Sequence, residues 1–224
     1  MSVTLIIPAL NEAEALPKLA PRLPDWIDQV LIVDNGSKDG TAEVARKLGF
    51  DVISVPVRGY GQAVWHGAEA AKGPILAFAS ADGSDPVDRL SELIAPIQRG
   101  EAELSLSWRQ PAAGAMNWIQ RLGNRLAPSL IHLRWGVRFH DLGPFRALRK
   151  DTLTRLDMQD RGFGWTLEMQ IKVAARGLRF VELPLPYTPR QAGQSKISGT
   201  LKGAIRASLV ILWTFLRWAL KRQA

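Results

Sequence analysis

The sequence predicts an α/β protein built on one mostly parallel central sheet with helices on both faces. Short apolar runs alternate with helical segments of about ten residues through the first half of the chain. The runs in LIIP, VLIVD and ILAFA are continuously apolar, as strands covered on both faces are. With 224 residues, 46% hydrophobic and 22% charged, the chain can bury one sizeable core and not two.

Val3–Ile7 is the first β-rich run and stops at Pro8, with Ala13–Leu19 as a short helix after it. Val30–Val33 is the second strand, ending in Asp34-Asn-Gly-Ser37, and Thr41–Leu48 is a helix that Gly49 stops. Val52–Val55, Ile75–Ala79 and Glu103–Ser107 are further strands, with helices at Gln62–Ala71 and Val87–Gln98 between them. Beyond Ser107 the pattern changes. Met116–Trp135 has apolar residues at helical spacing, and Pro128 is expected to split it. Asp151–Leu156 and Thr166–Arg176 read as helices, Arg179–Leu183 as a strand and Leu201–Arg222 as a last helix. No repeat or low-complexity linker divides the chain, which reads as one domain with a modified C-terminal third.

Composition excludes several chemistries. There is no cysteine, so disulfides and thiolate metal sites are out, and three scattered histidines make a zinc site unattractive. MSVTLIIPALNEAEAL lacks the basic flank and long apolar region of a signal peptide, which argues for a cytosolic chain. The net charge of +8 is uneven: acidic residues modestly outnumber basic ones from Met1 to Gly100, while Arg and Lys crowd the second half. That half is expected to face something anionic, such as a membrane surface, a phosphorylated substrate or nucleic acid.

In parallel α/β sheets ligands sit beyond the carboxyl ends of the strands. Asn11, Glu12, Asp34, Asn35, Asp82 and Asp85 all fall there. Each alone could be a turn residue, but three polar clusters converge on one edge. Asp34 could accept hydrogen bonds from a base or ribose, or belong to a capped turn. Arg58-Gly-Tyr-Gly-Gln-Ala63 could cradle a phosphate or be a flexible turn. Mg²⁺ or Mn²⁺ wants hard oxygen ligands and bridges few carboxylates to a diphosphate. Asp82 at a strand end suits that role, with Asp85 or a water completing the set. Carboxylates at this edge would repel a nucleic-acid backbone, so no nucleic-acid partner is expected.

IIPALNEAEAL, VDNGSKDGT, RGYGQAVWHG, SADGSDP, DLGPFRA, GFGWTLEMQ and GQSKISG resemble, in order, the motifs of family-2 glycosyltransferases of the GT-A (Rossmann-like) fold. The nearest likeness is to the branch of polyprenyl- or dolichyl-phosphate sugar synthases, and it runs from about Val3 to Gly199. The resemblance implies a GT-A domain over 1–200, and the residue pattern beyond it reads as an amphipathic C-terminal helix over 201–224. It also implies inverting transfer from a nucleotide sugar, UDP- or GDP-linked, assisted by a divalent metal. By the same resemblance Pro8, Asn11, Glu12, Asp34, Gly59 and Gly61 would line the nucleotide pocket, and Asp82 would bind metal. Asp141, Arg146 and Glu168 would be catalytic, with Trp165 closing the acceptor side. Arg190, Ser195 and Lys196 would reach phosphates. Two residues depart from the pattern: Ser80 replaces the first acid of D-x-D, and Asn35 stands where many relatives have Asp. An inactive, nucleotide-sugar-binding relative is therefore one alternative.

The acceptor decides the remaining chemistry. A lipid phosphate is already ionised and needs no strong base, whereas a saccharide hydroxyl would need Asp141 or Glu168 as one. Leu209, Leu212, Trp213, Leu216 and Leu220 share a helical stripe with Arg206, Arg217, Lys221 and Arg222 beside it. About twenty apolar residues are needed to span a bilayer, so this stripe is read as a surface anchor on the inner membrane face. Core packing and a homo-oligomer seam are the alternatives.

Overall fold

The computed structural model describes residues 1–115, 118–192 and 201–220, without the side chains of 118–123 and 201–209. Seven strands form one sheet: β1 Val3–Ala9, β2 Gln29–Asp34, β3 Asp51–Ser54, β4 Ile75–Phe78, β5 Leu104–Pro111, β6 Arg146–Arg149 and β7 Phe180–Tyr187. Their order is β3-β2-β1-β4-β6-β5-β7. The pairs β1–β2, β1–β4, β2–β3 and β5–β7 are parallel, and β6 runs antiparallel to both its neighbours.

The period-two geometry of a strand sends neighbouring residues to opposite cores. Ile6, Val33 and Phe78 join one core with Trp165 and Ile131, while Leu5, Ile7 and Ile32 join the other with Leu93 and Ile94. The first core lies under α3 (Tyr60–Ala70), α5 (Trp118–Trp135) and α7 (Trp165–Ala175). The second lies under α1 (Leu16–Leu19), α2 (Thr41–Lys47) and α4 (Leu90–Gln98). Both faces of the sheet are covered, which is why its strands read as continuous apolar runs. The short helix α6 (Lys150–Leu156) follows β6.

Three expectations need correction. Pro128 does not split α5, because Ala127 and Ile131 on either side of it are fully buried and hold the helix through the proline. Strand β6 was not foreseen: RALR carries arginines at both ends, yet Arg146 is wholly buried and the strand fills the gap between β4 and β5. Strand β7 runs past Leu183 to Tyr187 despite Pro184 and Pro186, which an edge strand tolerates because it has a side with no ladder to complete.

The last helix, α8 (Leu201–Ala219), packs on α5 and α7 through Ile211, Phe215 and Trp218. Among its described side chains the outward side is largely apolar: Trp213 is 70% exposed, with Leu212, Leu216 and Leu220 beside it and Arg217 exposed among them. Among the described residues no helix is long and apolar enough to cross a membrane.

Candidate functional site

The polar edge forms because β1, β2 and β4 end side by side. Residue 11 must adopt a left-handed backbone (φ 53°), which Asn tolerates better than most residues. Its side chain then accepts from the Lys38 amide at 2.8 Å, and its own amide donates to Ser37 Oγ at 2.9 Å. The Glu12 amide donates to Thr41 Oγ1 at 2.9 Å. The loops after β1 and β2 are thereby stitched together. Asp34 is buried at the end of β2, where it accepts from the Ser37 amide, and Pro8 lies half-buried on the same edge.

Asn35 is a strut. Its Nδ2 donates to the Val55 and Val57 carbonyls at 3.0 and 2.8 Å, and its Oδ1 accepts from the Gly59 amide at 2.8 Å. An aspartate could not donate, so the departure at this position has a local cause.

The loop after β4 places Asp82 toward Glu12. Asp82 Oδ1 accepts from the Ser84 amide and hydroxyl at 3.0 and 2.6 Å. Its Oδ2 lies 2.9 Å from Arg190 Nη2, and Arg190 Nη1 lies 2.9 Å from Glu12 Oε1. One guanidinium thus bridges carboxylates from two loops. Oxygens that already share a cation fit a divalent metal of the kind held by one or two carboxylates plus substrate phosphates. The set is sparse: Ser80 supplies no charge, and among the described residues no group of three or more acids or histidines could hold a metal.

Asp85, expected beside Asp82 on the metal, turns inward. It is 1% exposed, and its Oδ2 accepts from the Ser80 amide at 2.8 Å, so it braces the loop. Burial, reinforced by the Asp82 charge, pushes its carboxyl up to about 6. The folded value lies above the unfolded one of about 4, so the folded state keeps its proton longer. Stability should therefore fall as pH rises from about 4 to about 6 and stay lowered above that. Asp85→Asn keeps an acceptor for Ser80 and should raise Tm at pH 7.5 by about 5 °C while leaving it near wild type at pH 4. Equal shifts at both pH values would refute this account.

Four expected residues serve the floor instead of the surface of the site. Asp141 lies in a fork from Arg109, with Nε and Nη2 at 2.6 and 2.7 Å, and also accepts from the Arg109 and Leu142 amides. Arg146 is wholly buried, giving its guanidinium to the Gly143 and Thr166 carbonyls over the Trp165 ring, so it does not face a diphosphate. Trp165 is itself a core residue, edge-on to Phe78 at 5.2 Å, and does not close an acceptor cleft. Glu168 is wholly buried and accepts from the Gln159 and Asp160 amides at 2.8 and 2.6 Å, with Lys172 Nζ at 2.8 Å.

Gly59 and Gly61 also have an internal reason. A Cβ at Gly61 would sit 2.5 Å from the Asp160 carbonyl oxygen, and one at Gly59 2.3 Å from that of Arg161. The Gly61 and Gln62 amides donate to Gly162 and Arg161, so the start of α3 clasps the 160–162 loop rather than standing open for a phosphate. Ser195 and Lys196 lie outside the described residues. Sequence reasoning missed Arg109, whose position at the end of β5 was the available signal, and Ser84 and Lys172, whose partners only the fold supplies.

The comparisons with known proteins agree with this architecture. The Glycosyl transferase family 2 profile matches residues 4–156. An uncharacterised glycosyltransferase of Mycobacterium tuberculosis is 40% identical over 209 residues, covering 93% of this chain and 95% of the relative. An undecaprenyl-phosphate mannosyltransferase of Micrococcus luteus is 31% identical, with 97% and 96% covered. Among solved structures, glucosyl-3-phosphoglycerate synthase of Mycobacterium tuberculosis, crystallised with Mn²⁺, UDP and glucosyl-3-phosphoglycerate, superposes with a TM-score of 0.77 at 22% identity. That match covers 100% of this chain and 81% of the synthase. The shared fold is that of the GT-A glycosyltransferases.

Proposed function

The chain belongs to glycosyl transferase family 2, and from that premise we propose that it moves a hexose from a UDP- or GDP-sugar to a polyprenyl phosphate at a membrane surface. The observation that carries the choice of acceptor is that both expected bases are engaged. Asp141 is held by four donors from Arg109 and Leu142, and Glu168 by two amides and Lys172. A hydroxyl acceptor needs a base to remove its proton in the transition state, whereas a phosphate oxygen is already ionised. The resemblance to the undecaprenyl-phosphate mannosyltransferase supports the same choice.

In this reading Asp34 and the loop around Asn11 orient the nucleoside. Asp82, with Glu12 behind it, faces the diphosphate and would hold Mg²⁺ or Mn²⁺, which supplies positive charge against the leaving group. Arg190 lies within reach of the same anion. Arg109 and Asp141 fix the floor, so that the donor meets a rigid surface and the acceptor approaches from the opposite side for inversion. The largely apolar outward side of α8, with exposed Leu126 and Leu133 on α5, would rest on lipid, and the basic second half of the chain would meet anionic headgroups. In this reading the enzyme sits peripherally on the inner face of the membrane.

The test is a panel of UDP- and GDP-sugars with a short polyprenyl phosphate in anionic vesicles, read by release of nucleoside diphosphate and by vesicle flotation. Release that depends on the polyprenyl phosphate, with protein floating on the vesicles, is expected. Release driven equally by a saccharide without the lipid would replace the acceptor reading, and protein left at the bottom of the gradient would remove the membrane one.

A further inference from the structure

The Arg190 guanidinium occupies the position that the two carboxylates would offer a metal. The geometry points to Arg190 as an exchangeable counter-cation, seated on Glu12 and Asp82 in the resting protein and displaced onto the donor's diphosphate when a divalent metal enters. The inference rests on Asp82 being the metal seat and concerns what guards that seat.

Three observations support it. Both Arg190 contacts are 2.9 Å, and each goes to a carboxylate that is about nine-tenths buried, while Arg190 itself is 27% exposed. The acids are thus fixed by their loops and the cation is the more accessible partner. The backbone around Arg190 is tethered independently of its side chain: the Gln191 amide donates to the Asp82 carbonyl at 2.9 Å, Lys18 Nζ reaches the Gln191 carbonyl at 3.2 Å, and the Thr188 amide donates to the Ser84 carbonyl at 3.2 Å. A Cβ on Gly83 would sit 2.8 Å from the Gln191 side chain, so the strap lies directly on the loop. With the backbone fixed there, the long arginine side chain can leave the carboxylates without leaving the site.

The missing acid at Ser80 makes the exchange consequential. With only Asp82 and Glu12 to offer, a metal without nucleotide must compete with an intramolecular cation for both. A nucleoside diphosphate changes the balance twice, by adding oxygens for the metal and by giving Arg190 another anion to bind. Metal and nucleotide should therefore bind cooperatively, and the coupling must be the same whichever arrives first.

Mn²⁺ binding followed by electron paramagnetic resonance tests this without turnover. Wild type, Arg190→Gln and Asp82→Asn would be titrated with Mn²⁺ alone and again with saturating UDP or GDP. Arg190→Gln is expected to bind Mn²⁺ alone about tenfold more tightly than wild type and to lose most of the tightening that nucleotide brings. If Arg190→Gln binds Mn²⁺ no more tightly, and nucleotide tightens binding equally in both proteins, the exchange is refuted while the seat survives. If Asp82→Asn binds Mn²⁺ as wild type does, the seat itself is misplaced and the exchange falls with it. A Tm rise on adding Mn²⁺ that is larger in Arg190→Gln than in wild type is the second expected result, and an equal or smaller rise counts against it.

Discussion

Asp82→Asn is expected to lower kcat/KM for transfer by at least about 100-fold, which corresponds to about 2.7 kcal/mol of transition-state stabilisation. The substitution is close to isosteric. Its remaining oxygen can still accept from the Ser84 amide and hydroxyl, so the turn that shapes the loop should persist. What disappears is the charged Oδ2, the atom that faces Arg190 and, across the guanidinium, Glu12. In a site with Ser80 at the other acidic position and Asp85 turned inward, no second carboxylate from this loop can take over. The loss should fall mainly on kcat, because negative charge grows on the leaving diphosphate as the sugar departs. Circular dichroism and Tm within a few degrees of wild type would establish that the fold is kept. Wild-type turnover by this variant would remove Asp82 from the mechanism.

The strands that build this edge were legible because burial on both faces leaves a continuous apolar signature, as in VLIVD and ILAF, and because a polar residue must follow where such a strand reaches solvent. That logic located Glu12, Asp34 and Asp82 together. It did not reveal Arg190 between Glu12 and Asp82, since a contact across 178 positions leaves no local pattern. The family resemblance, for its part, put Arg146, Trp165 and Glu168 in the cleft, and the structure buries all three. A sequence gives no measure of whether a charged residue near a motif faces the cleft or supports the loop beneath it. Arg146 illustrates the difficulty: burial lowers its pKa to about 10, and its two terminal nitrogens go to carbonyls rather than to phosphates. Strand β6 was invisible for a related reason, as its two arginines break the apolar run that identified the others.

Glu168→Ala is expected to destabilise the fold by about 3–5 kcal/mol, because it strips the partner from a buried charge. Lys172 would be left with the Asp157 carbonyl and the Trp218 ring, whose centroid is 4.2 Å away, and no carboxylate. The Gln159 and Asp160 amides would lose their acceptor as well. Those amides begin the loop that α3 clasps through Gly61 and Gln62, and Trp218 belongs to the face of α8 that packs on α7. One carboxylate therefore joins the α3 side of the site to the C-terminal helix. Thermal or urea unfolding of Glu168→Ala, Lys172→Met and the double variant would measure this. The double variant should lose clearly less than the sum of the singles, since removing both charges leaves neither one buried alone. Glu168→Gln then separates support from catalysis. It should lose stability, because its amide nitrogen would face a backbone donor, and its activity should follow the fraction folded. A Glu168→Gln protein as stable as wild type but unable to transfer sugar would return Glu168 to the role of general base and make a hydroxyl the natural acceptor.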